Sequence, residues 1–369
     1  MYLSGILLFL SLAQSPNLAG GQIQDNSLST VDMSQLQSKA EAGDAASQLA
    51  LAKAYQDGAG VPRNDALAAQ WYRKSADQGN AVAQNSLGTM YRIGAGVEKN
   101  KDQAVAWYKK AANQGNANAM FNLGTSYYNG DGVPDNIFTA YDWFLLAEDA
   151  GSPNAIEAVQ RTTSELSGHP KQRAYLEIAQ MYEQGSDLPQ SYSAAAKWYR
   201  MAVSENSSVA MVRLAALYID GRGVERDYSE ARTLCANAAK ESAAAQYCLG
   251  YINQHGLGSA PDFKDAVVWY RKAADGGHPA AMLELGKMYW KAEGVPSDSA
   301  EAYLWLAKAY LTGEKTAQPL AQQVEKEMTL EDSKRLDKKL KQQHVDRKKL
   351  AEALQDPDPP TRQVLPLKK

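Results

Sequence analysis

Apolar and small residues recur at helical spacing along most of the chain, twice within each stretch of about 36 residues. From Asn80 to Gly115, the residues Ala83, Leu87, Met90, Tyr91 and Gly94 follow i, i+4, i+7, i+8 and i+11, one face of a helix. After the interruption Gly94-Ala95-Gly96-Val97, the residues Ala104, Trp107, Tyr108, Ala111 and Ala112 mark one face of a second helix. Glycine tolerates the left-handed position that ends a helix, so Gly94 closes the first helix and Gly115 the second. Asn116 to Gly151 repeats the plan, and further copies begin near Asp44, Pro170, Ser207, Ala243 and His278, seven in all.

One alanine of the second helix sets the register: Ala68, Ala104, Ala140, Ala195, Ala231, Ala266 and Ala302, at spacings of 36, 36, 55, 36, 35 and 36 residues. Six of the seven Trp residues stand three positions later, as Trp71, Trp107, Trp143, Trp198, Trp269 and Trp305, with Leu234 in the fifth copy. In each first helix the Leu or Ile is followed by a small residue: Ala52, Gly88, Gly124, Ala179, Ala215, Gly250 or Gly286. Glycine inside a helix costs about 0.5–1 kcal/mol against Ala, so close helix contact must offset it. Small position and alanine therefore bring the two helices together, and Trp and Tyr are expected to fill the gap to the neighbouring pair. No pair covers its apolar faces alone, so stability grows by stacking.

The 55-residue spacing leaves an extra segment, residues 152–169, which reads as a lone half-repeat or as a boundary between arrays of three and four copies. The expected organisation is repeats at 44–151 and 170–315, preceded by a linker and capping helix at 14–43. Capping helices at 316–355 and a disordered Pro-rich tail at 356–369 follow. Thr329-Leu330-Glu331-Asp332 is similar to a capping box and should open one highly charged helix running to about Gln355.

The pattern A-x-x-x-L-G-x-x-Y-x-x-G-x-G-V, then A-x-x-W-Y-x-K-A-A-x-x-G, resembles the SEL-one-like repeat (SLR) family, relatives of the tetratricopeptide repeats. The resemblance covers roughly residues 44–315, with loop glycines missing at Gly185-Ser186-Asp187-Leu188 and Ala292-Glu293-Gly294-Val295. It implies an all-α fold, a right-handed α-solenoid of antiparallel helix pairs. It also implies a scaffold or adaptor; exported bacterial members are linked to envelope complexes, exopolysaccharide systems and host-cell contact. Some members bind penicillin and carry disulfides within repeats at a closer spacing than the 13 residues between Cys235 and Cys248, so that pattern does not carry over.

Charge adds a polarity to the chain. Residues 330–369 hold 11 Lys/Arg against 7 Asp/Glu, a balance of +4, and the remaining 28 Lys/Arg against 35 Asp/Glu give −7. The net −3 does not suit a nucleic-acid binder. Four acidic residues between 331 and 346 mix the charge of the basic end, so peripheral membrane contact is not expected there. Leu3 to Leu12 is an apolar run of signal-peptide length, with Ser11-Leu12-Ala13 as a small-x-small cleavage site, although no Lys or Arg precedes it. Residues 1–13 are thus expected to be an export signal, with a periplasmic or secreted mature chain starting at Gln14.

Candidate chemistry is sparse. His169, His255, His278 and His344 lie in separate segments and form no ligand spacing, so neither metal nor cofactor is expected. No nucleophile–base arrangement is visible that would support a penicillin-hydrolysing enzyme. Cys235 reads as buried and Cys248 as exposed; a disulfide in an oxidising compartment and two free thiols both stay open. The first-helix stripe represented by Ser86, Thr89 and Ile93 varies from copy to copy and is expected to line a concave groove. On it and beside it, Asn122, Thr125, Tyr128, Gln180, Tyr251, Lys287 and Trp290 are the candidate partner contacts, Tyr and Trp being enriched at interfaces. Tyr128 and Trp290 also fit packing between repeats. The leading expectation is an exported protein-interaction scaffold; a glycan-binding protein is the alternative.

Overall fold

The computed structural model describes residues 30–168 and 170–356. The expected signal segment, His169 and the stretch from 357 onward lie outside the described residues. The described residues form two compact units, divided between Gln190 and Ser191. In the first, the helices are α1 (Thr30–Glu41), α2 (Ala45–Asp57), α3 (Asp65–Asp77), α4 (Ala81–Ile93), α5 (Lys101–Ala112), α6 (Ala117–Asn129), α7 (Ile137–Asp149), α8 (Pro153–Glu165) and α9 (Pro170–Gln184). The second holds α10 (Tyr192–Ser204), α11 (Ser208–Asp220), α12 (Tyr228–Ala238), α13 (Ala243–Gln254), α14 (Phe263–Asp275), α15 (Pro279–Lys291), α16 (Ser299–Leu311), α17 (Ala317–Glu327), α18 (Leu330–Gln342) and α19 (Arg347–Ala353). The described residues contain no strand. The fold is all-α, built of consecutive helix pairs, as the 36-residue pattern predicts.

Capping fixes the length of most helices. Asn80 and Asn116 accept from the backbone N–H of Ala83 and Ala119 to open first helices. Asn64, Asn100 and Asn136 open second helices in the same way, satisfying donors that have no partner within the helix. In the turn between them Gly94 takes φ 81° at the helix end. Gly96 serves a different purpose: a Cβ there would sit 2.0 Å from the Asp65 carbonyl oxygen, so the turn rests on the start of α3 in the preceding pair. Ala292 occupies the helix-end position where this repeat lacks glycine, and adopts φ 58°.

Within a pair the small position is a true close approach. A Cβ on Gly124 would lie 2.5 Å from the Phe144 ring and 3.1 Å from the Ala140 carbonyl oxygen; Gly88 meets Tyr108 and Gly250 meets Tyr270 similarly. The second-helix Tyr thus packs on the glycine of its own pair, not into the gap to the neighbour. Its hydroxyl stays in that pair too, donating from Tyr108 to Thr89 at 3.2 Å and from Tyr270 to Gln254 at 2.6 Å. Trp does reach outward: Trp107 joins the cluster of Ala52, Ala68 and Tyr72 from the preceding pair. Buried Gln84 adds a polar seam, donating to the Ala76 carbonyl at 3.1 Å and accepting from Gln114 at 2.8 Å.

Both units contain the same closing device. In the first, α8 packs on α7, and α9 returns to cover the outer face of α7. In the second, α17 packs on α16, and α18 covers α16. The covered residues are Asp142 and Leu304, both buried, at a position that is exposed as Gln70, Ala106, Lys197 and Val268 elsewhere. The charged C-terminal helix does not run unbroken to Gln355. It ends at Gln342, His344 takes φ 55°, and the Asp346 carboxylate caps α19 through Lys348 and Lys349. Thr329 and Asp332 form the reciprocal capping box that opens α18.

Candidate interaction surface

The varying stripe lies on the first helix of each pair. In the first unit the middle two copies place neutral residues there: Ser86, Thr89, Asn122 and Thr125 are half-buried, and Ile93 and Asn129 are exposed. Asn122 donates from Nδ2 to Asn85 Oδ1 at 2.8 Å, joining α6 to α4, and the Thr125 hydroxyl donates to the Phe121 carbonyl at 3.0 Å. Gln180 is half-buried on α9. Asn122, Thr125 and Tyr128 share α6 at spacing three, so one helix brings these three together.

Tyr128 is held within the fold. Its hydroxyl donates to the Glu165 carboxylate at 2.9 Å and the Arg161 guanidinium covers its ring at 5.2 Å. Burial and the neighbouring Glu165 push its phenol pKa up. Trp290 repeats the arrangement in the second unit, its indole N–H donating to Glu327 at 3.0 Å. Both acceptors end the lone helices α8 and α17, and both pairs are separated by 37 residues. These two aromatics hold the closing helices in place.

The second unit carries a different stripe. Tyr251 on α13 lies between Tyr247, with ring centroids 6.4 Å apart, and His255 at 4.1 Å. Tyr247 in turn stacks on His278 at 4.7 Å. Lys287 on α15 pairs with Glu284 at 2.7 Å. Here the surface offers aromatic rings and ionised groups where Ser86, Thr89, Asn122 and Thr125 of the first unit offer amides and hydroxyls.

Cys235 and Cys248 are joined by a disulfide that links α12 to α13. Cys248 is buried, 8% exposed, although its place on the stripe suggested exposure. The reason is the bond itself, which turns the sulfur toward Cys235, and Cys235 occupies the inward position held by Tyr in other copies.

One polar cluster was not apparent in the sequence. The buried Asp142 carboxylate accepts from Arg173 Nη2 at 3.1 Å, and the same nitrogen donates to the Phe138 carbonyl at 3.2 Å. Arg173 also pairs with Glu177. Burial pushes the Asp142 pKa up to about 9, against the pull of Arg173. Its position is exposed in most copies, so only the return of α9 makes it a buried carboxylate. Among the described residues no group of three or more His, Cys, Asp or Glu is placed to hold a metal ion. His278 instead caps α15, its Nδ1 accepting from Ala281 at 3.3 Å. Among the described residues no helix is long and apolar enough to cross a membrane.

A family model, the Sel1 repeat, matches residues 45–80, 81–116, 117–152, 172–207, 208–242, 243–278 and 279–313. A chitin synthase regulator of Saccharomyces cerevisiae is 36% identical over 29% of this chain and 16% of its own length. An alginate biosynthesis protein of Azotobacter vinelandii is 30% identical over 30% of this chain and 24% of its own. Each match therefore spans less than a quarter of the relative. Among solved structures, a protective antigen of uropathogenic Escherichia coli strains with an SLR fold is 30% identical, covering 83% of this chain and 62% of that one at a TM-score of 0.45. A Sel1 repeat protein from Oxalobacter formigenes is 27% identical, covering 81% and 82% at a TM-score of 0.39. With seven matched copies across the greater part of its length, the chain belongs to the Sel1 repeat proteins, a family that generally serves as protein–protein interaction scaffolds.

Proposed function

We propose that this chain is an exported adaptor that holds a protein partner on the first-helix face of its repeats. The observation that carries the reading is the contrast between interior and stripe. Every copy keeps a small residue at the same place and the alanine register, while the stripe changes from Ser86, Asn122 and Thr125 to Tyr251, Glu284 and Lys287. A surface that only closed the array would need no such change between units. The contacts assigned to the partner are Asn122, Thr125, Gln180, Tyr251 and Lys287, with Tyr128 and Trp290 bordering them from their internal bonds. In the second unit the Tyr247 ring stacks on His278 and lies tilted against Tyr251, which suits a shaped protein contact better than a free platform for sugar rings.

Two features support export: the apolar run Leu3 to Leu12, and a disulfide of the kind that persists in oxidising compartments. The relatives named for chitin and alginate synthesis support a partner within polysaccharide-producing machinery of the cell envelope. The test is capture of the envelope partner by the tagged chain, followed by Asn122→Asp, Thr125→Lys, Tyr251→Asp and Lys287→Glu. Retained melting with weakened capture for at least some of these is expected. Normal capture by all four, with loss on changes to the second helices, would place binding elsewhere.

A further inference from the structure

The acidic residues that mix the charge of the C-terminal helix are mostly engaged inside the fold. Asp332 closes the capping box with Thr329 and pairs with Arg335. Asp337 pairs with Arg347 at 3.0 Å, and Asp346 caps α19. Lys339 is directed inward to Glu301 and Asp298 of α16. What remains on the outer face of α18 is Lys334, Lys338 and Lys341, all exposed and none with a carboxylate partner among the described residues.

Leu330 stands on the same face. At 100° per residue, Leu330, Lys334, Lys338 and Lys341 fall within an arc of about 80° and extend about 16 Å along the axis, bordered by exposed Glu331 and by Asp337, whose carboxylate is engaged by Arg347. The apolar side of the helix, Leu336 and Leu340, is fully buried on the opposite face. Leu330 is 76% exposed, more than any other large hydrophobic residue described. An exposed leucine in line with three lysines that form no ion pair among the described residues is therefore presented outward by a docked, rigid helix.

We infer that the outer face of α18, through Leu330, Lys334, Lys338 and Lys341, binds the surface of an anionic lipid bilayer. Three properties favour this occupant. Lysines are depleted at protein–protein interfaces but attract anionic headgroups, each ammonium near the surface contributing independently. A hydrophilic polyanion offers nothing in which to bury Leu330, whereas a bilayer interface does. The face needs no unfolding to act, because the side of α18 that holds it to the protein is a different one. Contact is peripheral, reversible and salt-sensitive.

Sedimentation of the full chain with phosphatidylglycerol vesicles and with phosphatidylcholine vesicles tests the inference. The anionic vesicles are expected to retain the chain at low ionic strength and to release it in about 1 M salt. The variant K334E/K338E/K341E is expected to bind them about a hundredfold more weakly, at about fivefold per lysine removed. Leu330→Ser should weaken binding severalfold, and both variants should melt as the parent does, since none of these side chains holds the fold. Any contribution from the apolar residues 3–12 is common to parent and variants. Equal retention of parent and triple variant, or retention on heparin with none on anionic vesicles, would overturn the inference.

Discussion

At the scale of single residues, the fold depends on where a side chain is missing. Gly124 faces the Phe144 ring so closely that even a methyl group would meet it at 2.5 Å. Gly124→Leu should therefore destabilise the first unit by about 1–3 kcal/mol, the usual cost of overpacking. Gly124→Ala should cost less, because about 1 kcal/mol of helix propensity offsets the crowding. Urea unfolding of the two variants measures both, and unchanged midpoints would refute the contact. This contact was legible in the sequence because it recurs at one register in seven copies. The direction of the Tyr that fills it was not: periodicity places a residue on a helix face but does not say whether its ring turns to its own partner or to the next pair. Buried Gln84 was equally hard to read, since its position is Gln48 and Gln246 in two other copies but Met120, Met211 and Met282 in three, and its partners are carbonyl and amide groups of flanking helices.

At the scale of elements, most helices begin on a capping side chain, and α15 begins on a titratable one. His278 stands where Asn80 and Asn116 stand in other copies, and only neutral imidazole can accept the Ala281 N–H through Nδ1. Burial lowers its pKa from the ordinary 6.5. A folded-state pKa below the unfolded one means that the unfolded chain binds the proton more readily. The cap's contribution is therefore complete above about pH 6.5 and is lost as pH falls through the lower folded value. The loss on acidification is expected to be on the order of 1 kcal/mol, the usual worth of an N-cap. Hydrogen exchange in α15 should show this loss in the parent and not in His278→Asn, which keeps the cap and removes the titration. An identical pH response in both would exclude His278 as its source. The capping box of Thr329 was readable from local sequence, as are the Asn caps. The break at His344 and the burial of Asp142 were not, because both depend on which distant helix folds back over which face. For the candidate surface the same limit applies: the stripe could be read from variation between copies, but the internal bonds of Tyr128 and Trp290 arise from the lone helices that follow them.

At the scale of the whole molecule, each unit carries its own closing helices, and in a repeat array such ends set the limits of cooperative folding. In the first unit Tyr128–Glu165 holds α8 and Arg173–Asp142 holds α9; in the second Trp290–Glu327 holds α17 and Lys339–Glu301 holds α18. Two separate unfolding transitions are the consequence. The disulfide distinguishes them, because both cysteines lie in the second unit and residues 30–190 contain none. Closing a loop of 13 residues restricts the unfolded chain by about 3 kcal/mol, so reduction should lower the second unit's stability by that order. Calorimetry with and without reductant is the measurement: one transition should move down and the other stay fixed. A fragment of residues 30–190 should reproduce the fixed one by itself. If reduction shifts a single common transition, or if the fragment fails to unfold cooperatively, then stability passes through the whole chain and the closing helices do not divide it.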